Sequence, residues 1–452
     1  MFFNKTKIQP GQIIIVGFAG TILIGALLLM LPFATKDGRG AEFIDALFTA
    51  TSATCVTGLV VFDTFTYWSV FGQVIILLLI QVGGMGVVTM AITIFIVTGR
   101  KIGLNQRFLM QESISAPQMG GIVRLTGFII KSTILMESVG AILLAIRFCP
   151  QMGLGKGLWF AVFHSITAFC NAGFDLMGEK GEFSSLTHYE ADPIVNLTIM
   201  LLIIIGGIGF FVWDDLRKNK LRFRYYRLQT KLVLVTTACL LILPAVYFFF
   251  AEFGKSVWGF SSLSERIWAS VFQSVTPRTA GFNTVDLTLA AEPTVFLIIV
   301  LMVIGGSPGS TAGGFKTTTL ATAILCIRSV FRKQDHIQCF GRRLPSEIIR
   351  HTTALCTLYL ILFLTGGVLI CSLEDIPLLT ALFETASAIG TVGLTLGITP
   401  ELGDASHIIL ILLMYFGRVG GLTMIYALHG LSLIHISCTV EKVYTQTVET
   451  AV

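Results

Sequence analysis

Four long apolar stretches, residues 13–33, 70–97, 194–213 and 408–426, leave this chain few ways to fold. Each is long enough, or nearly so, to cross a hydrocarbon layer of roughly 30 Å as a helix. Only 13% of the residues are charged, against about 25% in soluble domains. Water is absent from a bilayer core, so every backbone amide there needs an internal partner, and helices meet that demand within one segment. A membrane β-barrel needs strands of about ten residues with alternating polarity, and these runs do not alternate. The expected class is an all-α, polytopic membrane protein.

Lys5 and Lys7 precede the first apolar stretch, as in a secretory signal. That stretch is too long and lacks a small-residue cleavage site, so it reads as a retained span. The nine cysteines are scattered, without a C-x-x-C pair, which argues against a disulfide framework or a zinc site. Basic residues are concentrated instead: four Lys/Arg in 99–124, seven in 214–231 and six in 328–350, more than half of the 31 in the chain. The positive-inside rule puts these connections in the cytoplasm. Acidic residues Asp175, Glu179, Glu182, Glu190, Asp192, Glu374, Asp375, Glu401 and Asp404 lie in the other connections. Topology therefore explains the basic loops, and nucleic-acid binding does not.

A repeat runs through the whole chain. The segments C-V-T-G-L (55–59), C-N-A-G-F (170–174), R-T-A-G-F (278–282) and G-T-V-G-L (390–394) align without gaps. Their glycines, Gly58, Gly173, Gly281 and Gly393, are 115, 108 and 112 residues apart. Each follows a short stretch (43–51, 158–167, 265–276, 379–387) with an aromatic and a hydroxyl residue, too short to span. The unit reads as helix, re-entrant half-helix, loop, helix. Four units, at 10–98, 123–213, 230–328 and 350–430, give eight transmembrane helices and four re-entrant pore helices around a central pore. Both termini are then cytoplasmic.

Such a unit suits a cation. A half-helix ending within the membrane presents about half a negative charge at its C-terminus. The loop after it can turn carbonyls inward, and glycine accepts the positive φ this requires. Four loops around an axis make a ring of oxygens able to replace the water of potassium. The candidate filter is Val56, Thr57 and Gly58; Asn171, Ala172 and Gly173; Thr279, Ala280 and Gly281; and Thr391, Val392 and Gly393. One glycine per loop predicts a looser potassium preference than a Gly-Tyr-Gly filter. A single membrane glycine ordinarily serves helix packing, but four at matched positions need another reason. Cys55 and Cys170 are matched by Arg278 and Gly390, so the thiols are not required chemistry.

The third unit carries an interruption, Gly305, Gly306, Ser307, Pro308, Gly309, Ser310, Thr311, Ala312, Gly313 and Gly314, before Phe315 and Lys316. Five glycines and a proline in ten residues do not sustain an α-helix. Irregular backbone at membrane depth needs protein or a water-filled cavity around it, so residues 305–316 are expected to form a gate under the filter. A nucleotide P-loop is the rival, but Phe315 separates glycine from lysine and the flanks are apolar spans. Arg418 lies eleven residues past His407, roughly 16 Å along a helix, where a cation usually faces a cavity. It is expected to face the pore, contact the 305–314 loop and raise a barrier to cations. Glu137 is similarly embedded, with a structural role open. A coupled carrier of organic solutes would show inverted repeats, and these repeats run in one direction.

Together, the four single-glycine loops, the G-G-S-P-G-S-T-A-G-G stretch and F-G-R-V-G at 416–420 resemble the Trk/Ktr/HKT superfamily of potassium transporters. Within it, the chain is most similar to the membrane subunits of bacterial Ktr systems, over residues 10–430. The resemblance implies potassium uptake across the plasma membrane, commonly sodium-stimulated, and no enzymatic activity. It implies a homodimer in which each protomer has its own pore, controlled by a cytosolic ring of RCK-domain subunits. ATP, ADP or NAD would then bind that regulatory ring, leaving this chain without a cofactor. Gly58 matches the potassium-permeable pattern, whereas sodium-selective plant relatives often carry serine. The tail, 431–452, departs from the basic end expected of the family.

Overall fold

A computed structural model describes residues 10–87, 89–90, 103, 111, 121–220, 222–260, 262–334 and 336–420. The 431–452 tail, and the ends of the first and fourth expected units at 91–98 and 421–430, lie outside these residues. The described chain is mostly helical: α1 (Pro10–Leu29), α2 (Phe43–Cys55), α3 (Val70–Met85), α4 (Ile122–Met152), α5 (Leu154–Cys170), α6 (Pro193–Gly207), α7 (Phe210–Asn219), α8 (Leu228–Tyr247), α9 (Leu263–Val275), α10 (Glu292–Val303), α11 (Thr317–Phe331), α12 (Ser346–Glu374), α13 (Leu378–Gly390) and α14 (Asp404–Val419). A two-residue strand pair, Gln338–Cys339 with Arg342–Arg343, closes a hairpin in the last basic connection.

Local chemistry sets several helix starts. Asp192 caps α6 by accepting from the amides of Ile194 and Val195, with Pro193 in the first turn. Ser262 and Glu265 form a reciprocal capping box on α9. Among the described residues, four helices are long and apolar enough to cross a membrane: Gly11–Leu29, Ile122–Met152, Leu228–Glu252 and Ser346–Glu374. Only 22–33% of their most apolar windows is buried, and side chains such as Leu27, Ile142, Leu243 and Leu360 stand exposed. A chain that leaves its most apolar surfaces outward is using lipid as solvent.

Three sequence expectations are corrected, the first being the run 70–97, where α3 stops at Met85 and Gly86 has φ 86°. The run 194–213 is not one straight helix: α6 and α7 meet at 94°. The run 408–426 is also not one helix, because α14 stops at Val419 and Gly420 has φ 89°. The four short helices α2, α5, α9 and α13 run longer than the stretches expected for them, since nothing breaks α2, α5 and α13 before a left-handed residue does.

Packing closes a cycle. Each of α2, α5, α9 and α13 lies against the long helix before it, α1, α4, α8 and α12 respectively. The helix after each loop then packs on the next short helix: α3 on α5, α6 on α9, α10 on α13, and α14 back on α2.

Candidate functional site

The loops that follow the four short helices meet at the middle of this cycle. Helices α2, α5 and α13 end in left-handed residues, Val56 (φ 59°), Asn171 (φ 60°) and Thr391 (φ 52°). Loop 3 leaves α9 earlier and reaches the same conformation at Thr279 (φ 66°). A β-branched residue rarely adopts positive φ, so the conformation at Val56, Thr279 and Thr391 is imposed by the surroundings. The fold supplies a hydrogen bond two residues past each helix end: Thr57 N–H to Ser52 O, Ala172 N–H to Thr167 O and Val392 N–H to Ser387 O, each 2.8 Å. In loops 1 and 4 the hydroxyls of Ser52 and Ser387 also accept from the amides of Gly58 (3.1 Å) and Gly393 (3.0 Å).

All four candidate glycines have positive φ: 95° at Gly58, 68° at Gly173, 79° at Gly281 and 93° at Gly393. Each also lies against the next loop. A Cβ on Gly58 would meet the Ala172 carbonyl oxygen at 2.5 Å, one on Gly173 the Ala280 oxygen at 2.7 Å, one on Gly281 the Val392 oxygen at 2.5 Å, and one on Gly393 the Thr57 oxygen at 2.3 Å. The order runs 1, 2, 3, 4 and back to 1. Val56, Thr57, Asn171, Ala172, Thr279, Ala280, Thr391 and Val392 are fully buried with them. Asn171 ties loops 2 and 3 by donating to Thr279 Oγ1 (3.2 Å) and the Arg278 carbonyl (3.4 Å).

A second layer is made where the following helices break. The sequence reading found one such break, at 305–316, and missed three more, at Gly86 (φ 86°), Gly209 (φ 96°) and Gly420 (φ 89°). A signal was present: G-G-M-G at 83–86, G-G-I-G at 206–209, G-G-S-P-G at 305–309 and G-R-V-G at 417–420. Arg418 therefore stands where the other segments have Gly84, Gly207 and Gly306.

The 304–316 segment is a hydrogen-bonded loop. Ile304 and Phe315 bridge in parallel, Gly306 N–H donates to Gly313 O (3.2 Å) and Thr317 N–H to Gly306 O (3.1 Å). Ser307 and Thr317 hydroxyls meet at 3.0 Å, and Ser310 Oγ donates to Ser307 O (2.7 Å). The loop fills the bend between α6 and α7: Ser307 N–H reaches Gly207 O (3.0 Å), Thr311 N–H reaches Gly206 O (3.3 Å), and Phe210 N–H reaches Gly309 O (2.8 Å). It also touches α14, where Gly314 N–H donates to Gly417 O (3.0 Å). Pro308 and Gly309 crowd Gly209, while a Cβ on Gly313 would meet Thr391 Oγ1 at 2.2 Å, beneath loop 4. Lys316 turns back to the carbonyls of Ala312 (3.0 Å) and Gly313 (3.2 Å).

Arg418 joins this layer. Its guanidinium donates to the carbonyls of Thr311 and Gly83, and to Gly84 O at 3.1 Å. It thereby links the loop to the end of α3, with carbonyls as its hydrogen-bond partners. Glu137 lies apart from this cluster. It accepts from Gln81 Nε2 at 3.3 Å, and its backbone carbonyl accepts from Ser165 Oγ at 2.6 Å, which joins α3, α4 and α5.

Comparisons with known proteins agree with one another. A family model described as TrkH, a cation transport protein, matches residues 9–429. The Ktr system potassium uptake protein B of Bacillus subtilis is 42% identical, over 93% of this chain and 93% of that protein. The potassium/sodium uptake protein NtpJ of Enterococcus hirae is 37% identical, over 94% of each. The crystal structure of the potassium transporter TrkH from Vibrio parahaemolyticus superposes with a TM-score of 0.72, covering 94% of this chain and 85% of that one. At 18% identity, that last likeness speaks for the fold.

Proposed function

The chain belongs to the TrkH family of cation transport proteins, and from that premise we propose that it is the ion-translocating subunit of a Ktr-type potassium uptake system. It is a multi-pass membrane transporter and not an enzyme. In this reading the ring of Gly58, Gly173, Gly281 and Gly393 is the selectivity filter, with potassium held by the loop carbonyls. The observation that carries it is the closed cycle of glycines, each against the carbonyl of the next loop. Helices α2, α5 and α13 end at this ring, so their C-terminal carbonyls add negative potential where an ion would lose water. Thr57 and Thr391 hydroxyls, at successive positions of loops 1 and 4, are buried without a hydrogen-bond partner among the described residues, which leaves them available to water or a passing ion.

The finer features belong to the same proposal. Four pore repeats, 10–98, 123–213, 230–328 and 350–430, contribute eight spans in the plasma membrane with cytoplasmic termini. The 305–316 loop with Lys316 and Arg418 is the gate: it fills the bend beneath the ring, and Arg418 adds a positive charge to a cation pathway. A homodimer, sodium stimulation and control by an RCK ring that binds ATP, ADP or NAD follow from likeness to Ktr systems.

Growth tests the whole reading. A bacterium lacking its own potassium uptake, expressing this chain with a Ktr regulatory subunit, is expected to grow on low potassium. Failure to grow, with the protein verified in the membrane, contradicts it.

A further inference from the structure

We infer that His164 and Glu384, two fully buried side chains on the short helices, are positioning residues that hold the outer edge of loops 2 and 4 and thereby set cation selectivity. The inference rests on the proposed filter. His164 is nine residues before Gly173, and Glu384 is nine before Gly393. Both are 0% exposed. Each reaches the chain just beyond its glycine. Leu176 N–H donates to His164 Nε2 at 3.3 Å. Thr395 and Thr399 hydroxyls donate to the two oxygens of Glu384, the second at 2.9 Å.

The tautomer of His164 follows from its neighbours. Nδ1 lies 2.7 Å from the Phe160 carbonyl, which only accepts, so Nδ1 carries the hydrogen. Nε2 is then left as the acceptor the Leu176 amide requires. The rest of the ring meets Phe148, Phe160, Phe163 and Phe282. Those rings explain the packing of an aromatic side chain there, but not a nitrogen aimed at a loop amide. Glu384 has no cation within ion-pair distance among the described residues, and loop hydroxyls take both its oxygens.

Beyond their glycines, loops 1 and 3 are held differently. The matching helix positions carry Thr49 and Phe272. Loop 3 is fixed by Thr276 Oγ1 donating to Phe282 O (2.6 Å), and by Ser185 Oγ accepting from Asn283 N–H (3.1 Å). Beyond loop 1, Asp63 accepts from the amides of Phe65, Thr66 and Phe183. The acceptors nine residues before the glycine thus serve loops 2 and 4, which face each other across the cycle. Losing one lets a single carbonyl of the ring relax, and a ring that adapts to a smaller ion loses its preference for the larger.

Phe272 also shows that this fold accepts a phenylalanine at the matched position. That suggests a pair of variants that separates packing from hydrogen bonding: His164→Phe keeps the ring and removes the acceptor, while His164→Gln does the reverse. The full chain in proteoliposomes, with sodium competing against rubidium uptake, gives the readout. His164→Phe is expected to lower rubidium preference by about threefold to tenfold, the equivalent of one lost hydrogen bond, while His164→Gln retains it. Glu384→Leu and Glu384→Gln should divide in the same way, and they decide the matter if His164→Phe does not fold. Preference kept by Phe and lost by Gln, or kept by every variant, overturns the inference. Gly281→Ser in the same assay tests the filter itself. If it shifts preference while the His164 and Glu384 pairs do not, only the positioning role falls; if it too is silent, the filter assignment falls with it.

Discussion

The ring of loops and the layer of helix breaks beneath it lie in neighbouring parts of one molecule, yet they treat their four quarters in opposite ways. In the ring, four chemically different segments are brought to one conformation: positive φ at glycine and a neighbour's carbonyl within 2.3–2.7 Å of the missing Cβ. In the lower layer, similar glycine segments are set apart in two of the four quarters. Three turn at a glycine of nearly the same conformation, Gly86 (φ 86°), Gly209 (φ 96°) and Gly420 (φ 89°), the fourth opens into the 304–316 loop, and one of the three carries Arg418. The contrast teaches a division of labour. Recognition of a spherical ion gains from equal ligands on all sides, whereas a gate needs one quarter to move against the others.

The comparison can be broken first at the ring. Gly393→Val adds a branched side chain at φ 93° where even a Cβ would lie 2.3 Å from the Thr57 oxygen. We expect uptake to be lost and stability to fall by about 3 kcal/mol or more, the scale of backbone strain combined with overpacking; growth and thermal unfolding in detergent measure both. In the lower layer, deletion of residues 307–312 removes the contacts with Gly206 and Gly207 and should raise flux while making it less dependent on the regulator. Loss of flux in a folded protein would mean that the loop is not a barrier. Arg418→Gln should act in the same direction but less strongly. A barrier lowered by ~1.4 kcal/mol gives about tenfold in rate, read as rubidium influx. The mildest change sharpens the ring: Ser52→Ala and Ser387→Ala each remove one acceptor for a glycine amide, worth ~1 kcal/mol. Both should reduce thermal stability slightly and alter selectivity alike, since each serine holds the glycine amide of its loop in the same way.

Much of the upper level was legible in the sequence. Matched spacing located Gly58, Gly173, Gly281 and Gly393, and the density of glycine and proline located the 305–314 loop. Arg418 stood out because a charge is rare in an apolar run, and the structure puts it on Thr311. The other breaks were not read, because a G-G-x-G segment inside an apolar stretch looks the same whether the helix continues or turns. At Gly209 the decision is made by a partner distant in sequence, since Gly309 takes the Phe210 amide. His164 and Glu384 escaped for a related reason. A buried histidine or glutamate declares a role only when the loop it serves folds back on it.

The central claim is that the four loops hold the ion. Diffraction from crystals grown with rubidium or thallium, recorded at the absorption edge of the ion, tests this most directly. The account predicts anomalous density on the axis of the ring, within coordination distance of carbonyls from all four loops. Ordered density elsewhere in the protein, with none at the ring, would contradict it.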